Sequence, residues 1–229
     1  MIGRVVLAAL IAGMAAGILM GGIQHVRITP LILQAEVFET AAEAASAEAS
    51  TQDHAAEAWK PADGWERTLS TTLASIITGA GYAGLLAGIS LLTGIAITPR
   101  NGLIWGLCGF LAVTIAPGAG LSPALPGMPA GDLFMRQVWW VGTIAATGTG
   151  LYLIASQRKF VWLALATALI VIPHLIGAPQ PLTTETTVPA GLAAAYVSNT
   201  VAAAAVFWSL IGVFLGLSLQ RFSKDIYAT

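Results

Sequence analysis

Six stretches of the chain are apolar over nearly the length of a membrane crossing: residues 4–23, 69–97, 102–116, 137–156, 160–175 and 197–219. A spanning helix takes about 20 mostly apolar residues. The pattern therefore predicts an all-α, polytopic membrane bundle of six transmembrane helices, or five if the short fifth stretch does not cross. The third and fifth stretches each run into a proline, Pro117 and Pro173. After residue 23 the segment "QHVRITP" predicts a helix end and a proline turn. The sequence "LILQAEVFETAAEAASAEA" follows, with Leu31, Phe38, Ala42 and Ala45 at helical spacing. This predicts an amphipathic Ala/Glu-rich helix inside a first outer loop, residues 24–68, lying on the membrane or capping the bundle. The rest of that loop, "STQDHAAEAWKPADGWE", reads as a turn-rich link. Residues 4–23 have the look of a signal peptide, but no small-x-small cleavage pattern follows, so they are read as an uncleaved first helix. Residues 1–229 are read as one integral membrane domain.

Composition strengthens this picture. Of 229 residues, 56% are hydrophobic and 9% charged, where an ordinary soluble domain carries roughly a quarter charged. The net charge of −1 offers no basic surface for nucleic acid. The single cysteine, Cys108, has no partner within the chain. No phosphate-binding glycine loop of the G-x-x-x-x-G-K-[ST] type occurs. With the N-terminus placed in the cytoplasm, Arg4, Arg100, Arg158, Lys159, Arg221 and Lys224 fall inside, as the positive-inside rule expects. Of the acids, only Asp225 falls inside, so the outer face is strongly anionic and would concentrate cations. Trp105, Trp139, Trp140 and Trp162 stand at helix starts, where an interfacial belt is expected. Trp208 lies mid-helix and is read as packing.

The candidate chemistry sits at the outer ends. No Asp, Glu, Lys or Arg lies near the centre of a predicted helix. That argues against an antiporter built on a buried carboxylate and against an intramembrane protease. No nucleophile–base pair at recognisable spacing suggests an enzyme. His25 ends the first predicted helix and His174 the fifth. Imidazole and carboxylate together suit late first-row divalent metals. Glu36 and Glu39 are three apart and share a helix face. His54 stands beside Asp53 in the first loop. Asp132 and Arg136 are four apart at the start of the fourth helix, a pattern equally suited to an N-cap and an i, i+4 ion pair. Met14, Met20, Met128 and Met135 could form a thioether path, though packing explains scattered methionines as well. The runs "GMAAG", "GILMG", "GLLAG", "GLIWG" and "GVFLG" predict close helix contacts. The second and third outer loops share "AP" and a later "PAG", which suggests three similar helix hairpins.

The segments "QHVRITPLILQAEVFE", "WKPADGWERTLSTTLASIITGAGYA", "LPGMPAGDLFMRQVWW", "PHLIGAPQP" and "VPAGLAAAYV" resemble, in order and over nearly the whole chain, the CbtA family of cobalt transporter subunits. The resemblance implies a five- or six-helix protein of the bacterial inner membrane, tied to cobalt uptake for cobalamin synthesis. It also implies a small one-helix partner subunit with a histidine-rich end, CbtB. Carried over by position, it marks His25, Glu36 and Glu39, then Asp132 and Arg136, then His174. Many relatives have a histidine-rich first outer loop; here that loop keeps only His54.

Together these readings predict a membrane component of a divalent transition-metal uptake system. Co²⁺ is the expected cargo, arriving from the periplasm through the lipid bilayer. The expected metal ligands are His25, His174, Glu36, Glu39, Asp132 and His54, with no permanently bound cofactor. The alternative is a membrane scaffold or assembly subunit with no path of its own.

Overall fold

Small and aliphatic residues carry the first apolar run into a helix that continues well past the predicted stop. In a computed structural model, which describes residues 2–49 and 61–227, α1 (Ile2–Ile23) passes through a π-helical stretch, Gln24–Ile28, directly into α2 (Thr29–Ala49). No turn forms at Pro30, and the predicted loop 24–68 is therefore helical up to residue 49. The physical reason lies in the widened turn. The Thr29 N–H bonds back to Gln24 O, five residues earlier. Proline has no N–H, and its ring presses on the carbonyl four residues back. One extra residue in the preceding turn displaces that carbonyl, and the helix survives. The same device recurs. Helix α4 (Gly102–Gly109) passes through a π-helical stretch, Phe110–Ile115, into α5 (Ala116–Gly120), with Pro117 two residues after the stretch. The predicted stop at residue 116 is thus also passed.

The remaining helices are α3 (Trp65–Thr93), α6 (Leu133–Ser156), α7 (Phe160–Ile176) and α8 (Ala190–Tyr227). Helix α3 stops at Gly94 and α7 at Gly177, where φ values of 70° and 84° favour a residue without Cβ. Asp132 Oδ1 accepts from Met135 N at 2.9 Å and caps α6. Among the described residues, five helical stretches are long and apolar enough to cross a membrane. Helix α7 has 17 residues, about 26 Å against roughly 30 Å of hydrocarbon.

Glycine sets the packing. Gly13, Gly17 and Gly21 of α1 lie against the backbone of Gly79, Ala80 and Ile76 and the side chain of Thr72 on α3. Gly102 and Gly106 of α4 meet Gly212 and the Trp208 carbonyl of α8. Gly150 of α6 meets Ala166 and Ile170 of α7. Four of the five predicted small-residue runs are thereby used. Gly84 and Gly88 have open space around them. Helix α1 also packs on α8, so α3, α1, α8 and α4 form one group, while α6 and α7 pair with each other and touch that group lightly through α4, α5 and the second π stretch. Helix α8 rests on α1 and α4. The expected set of three like hairpins is therefore not the packing found.

The core of the larger group joins Ala12, Ala16, Ala83, Phe207, Ile211 and Leu215. At the far end of α1 a second small core forms. Ala35 of α2 meets Leu125 from the α5–α6 loop and Val188 from the α7–α8 loop. On α2 Ala35 is buried, seven residues after the buried Ile28 of the π stretch, while Leu31, Ile32, Phe38 and Ala42 around it are half-buried, so the predicted Leu31–Phe38–Ala42 face borders the buried side. Helix α2 thus caps one end of the bundle, called the capped end below.

Candidate functional site

Between the four-helix group and the α6–α7 pair lies a cavity of about 940 Å³. Both π-helical stretches line it, through Gln24 and Ile28 on one side and Val113, Thr114 and Ile115 on the other. Helix α8 contributes Tyr196, Thr200, Ala204 and Trp208, one residue per turn along a single face. From Tyr196 to Trp208 is about 18 Å of helix, so the cavity reaches from the capped end towards the middle of α8. Helix α6 adds Leu133, Arg136, Gln137 and Trp140.

An aromatic group closes the deep end. Tyr82 stacks on Trp208 with centroids 4.5 Å apart at 22°. Trp208 is 2% exposed, and its Nε1 donates to Thr114 Oγ1 at 3.2 Å. Beyond this floor α4 and α8 touch backbone to backbone at Gly102, Gly106 and Gly212, and Gly216 lies against Thr98. Arg67, Thr71, Ser122 and Arg136 line the cavity towards the capped end, and Trp208 lines its other end.

Its polar lining consists of hydroxyls, amides and guanidiniums. Gln24 Oε1 lies 3.2 Å from Ser75 Oγ. The Thr200 Oγ1 and Arg67 Nε atoms are buried and have no hydrogen-bond partner. Arg67 is otherwise committed. It grips Glu36 with two bonds of 2.8 and 3.0 Å and pairs with Asp63 at 2.9 Å. Arg136 has no side-chain hydrogen bond or ion pair among the described residues, because Asp132 is spent on the helix cap. Arg136 also borders a second cavity of about 210 Å³ beside Gln180 and Thr186. No carboxylate, imidazole or thiol lines the large cavity among the described residues.

The residues singled out for metal are held apart in local contacts. His25 is exposed, and its Nδ1 shares a 3.0 Å hydrogen bond with Thr68 Oγ1. Glu36 binds Arg67. Glu39 Oε1 accepts from Gly127 N at 3.1 Å and fastens α2 to the α5–α6 loop. His174, exposed on α7, meets the Trp139 ring edge-on at 6.1 Å. Asp132 caps α6. His54 lies outside the described residues. Among the described residues no three His, Cys, Asp or Glu side chains come together. The methionines do not form a path: Met14 and Met135 are 46% and 52% exposed, and only Met20 of the four lines the large cavity.

Several lining residues escaped the sequence reading. Arg67 and Thr71, four residues apart on α3, both line the cavity, and Arg67 was missed because the helix was started at Leu69 rather than Trp65. The Tyr196–Thr200–Ala204–Trp208 line had the same readable spacing.

No curated protein and no solved structure matches the chain. A comparison with protein families matches residues 2–220 to "Probable cobalt transporter subunit (CbtA)". The match takes in every helix that lines the cavity, and by it this multi-pass membrane protein belongs to the CbtA family of cobalt transporter subunits.

Proposed function

We propose that the chain is the membrane-embedded part of a cobalt uptake system in a bacterial inner membrane, and that the cavity is the chamber through which cobalt passes. The observation that carries this reading is the cavity itself: polar towards the capped end, aromatic at Tyr82 and Trp208, with close glycine contacts between α4 and α8 beyond them. Substrate sites near the midplane, framed by irregular helix, are the usual arrangement in transporters. The capped end faces the periplasm in this reading. Its acids draw cations by their field. His25, His174, Glu36, Glu39 and Asp132 are residues that a metal reaches first, each by itself rather than as one preformed cage. His54 would add to the same rim.

A second reading is favoured by one observation, that among the described residues no acid, imidazole or thiol lines the cavity. A stripped dication needs such ligands or many oxygens. A partner subunit, of the small histidine-rich kind, would then supply them, and this chain would be scaffold as much as path.

Cobalt uptake by cells carrying the intact system separates the two. Ala204→Trp fills the chamber, while Ala202→Trp on the exposed face of the same helix does not. The chamber reading expects uptake to fall at least about tenfold in the first variant alone, since a blocked path leaves little flux. Equal uptake in both would favour the scaffold. His25→Ala with His174→Ala is expected to raise the cobalt concentration needed for half-maximal uptake; no change would remove these two from the rim.

A further inference from the structure

We propose, resting on the chamber reading above, that the cavity receives cobalt as a complex with a small carboxylate-bearing organic anion, held through Arg136, and not as the bare or simply hydrated ion. Three observations converge. The first is size. A dication with about six waters fills roughly 180 Å³ at about 30 Å³ per water, a small part of the 940 Å³ found. That volume falls instead within the range of organic-ligand pockets, roughly 300–1,000 Å³. The second is charge. The wall carries two guanidiniums and no carboxylate among the described residues. Glu36 and Asp63 offset Arg67, while among the described residues no carboxylate pairs with Arg136. An uncompensated guanidinium repels a free dication and attracts an anionic complex, whose carboxylate it can grip with two parallel bonds.

The third observation is the character of the lining. Tyr82, Tyr196, Trp140, Phe207 and Trp208 offer flat apolar surface, which suits a carbon skeleton and does nothing for a naked ion. The hydroxyl of Thr200, buried and without a partner, is a spare donor and acceptor on the same wall. Arg136 also borders the smaller cavity, so it stands where the two meet, near the capped end.

The test uses the full chain in discs of neutral phosphatidylcholine, titrated calorimetrically with cobalt chloride, with citrate alone, and with the equimolar cobalt–citrate complex, which is an anion. The complex is expected to bind at least about tenfold more tightly than cobalt chloride, the size of one charge-assisted pair, with citrate alone as the control for the anion. Arg136→Gln should remove that preference and, by lifting the repulsion, leave binding of cobalt chloride no weaker than before. Arg136→Lys, which keeps the charge but loses the fork, should restore part of it. Melting curves of the variants report folding separately. Cobalt chloride binding as tightly as the complex, no binding of the complex, or an unaltered preference in Arg136→Gln would each overturn the proposal. So would loss of complex binding in discs of anionic phosphatidylglycerol, because the guanidinium would then read lipid phosphates. The chamber itself stands or falls on uptake by Ala204→Trp, so failure of one idea is distinct from failure of the other.

Discussion

Gly106 and Gly84 both sit on apolar helices, yet a methyl group added to each has opposite consequences. A Cβ on Gly106 would strike the Trp208 carbonyl and come within 3.4 Å of Gly212 Cα. Backbone cannot step aside as a flexible side chain can, so α4 and α8 would have to separate. A Cβ on Gly84 meets nothing within 4 Å, and the gain is the lower conformational freedom of alanine in the unfolded chain. Thermal melting in detergent should therefore show Gly106→Ala destabilised by about 1–3 kcal/mol, as overpacked sites are. Gly84→Ala should be stabilised by about 0.5–1 kcal/mol. Equal shifts in the two would mean that the α4–α8 seam is not the close contact described. The same logic explains why the small-residue runs could be recognised along the chain but not assigned to partners. The spacing of glycines marks a groove, and only the opposing helix decides whether the groove is filled.

The two proline-bearing helices show most clearly what a one-dimensional pattern conceals. Apolar periodicity placed six helices close to where they stand, because burial in lipid and in the bundle follows side-chain type. The proline rule then ended the first and third helices too early. It counts the missing N–H and the ring clash but not the remedy, one added residue in the turn before. The same mistake hid the chamber. With α1 broken at residue 23, Gln24 and Ile28 belonged to a loop and not to a wall. With α3 begun at Leu69, Arg67 was a surface charge rather than the clamp on Glu36. The histidines and acids were visible as types, but their neighbours were not: His25, Glu36, Glu39, Asp132 and His174 each have a local partner that sequence spacing does not specify. Pro30 itself is exposed, so Pro30→Ala removes the clash without opening a hole in the core. The helix should gain stability, bounded by the roughly 3 kcal/mol that an interior proline costs. The π turn should relax, shifting Gln24, Ile28 and Thr29 on the chamber wall. A higher melting temperature with lower cobalt uptake is the expected pair of results, because π turns persist at sites of function. Higher stability with full uptake would show that this turn does not shape the path.

The bundle divides into a glycine-sealed group of four helices and a lighter α6–α7 pair, with the chamber where they face each other. That division, more than any single ligand, decides which way the chamber opens. The group of four is held by close backbone contacts at glycines, whereas α6 meets it mainly at the π stretch and α5. Motion of α6 and α7 against the rest would open the floor without unpacking the core, and rocking of one bundle against another is a common route to alternating access. In this resting form the chamber should therefore be wet from one side only. Cysteine scanning in a Cys108→Ala background measures this directly. Thr200→Cys and Ser122→Cys should react with a charged, impermeant thiol reagent added from the periplasmic side. Leu215→Cys, fully buried beyond the Trp208 floor, should not. Labelling of Thr200→Cys from the cytoplasmic side alone would reverse the orientation proposed for the capped end. Ready labelling of Leu215→Cys from the periplasm would show that tryptophan and glycine do not seal the lower half. Added cobalt–citrate should slow labelling at Thr200→Cys while leaving Ser122→Cys less affected, since Thr200 lies deeper along α8 and the ligand, once seated, stands between it and solvent.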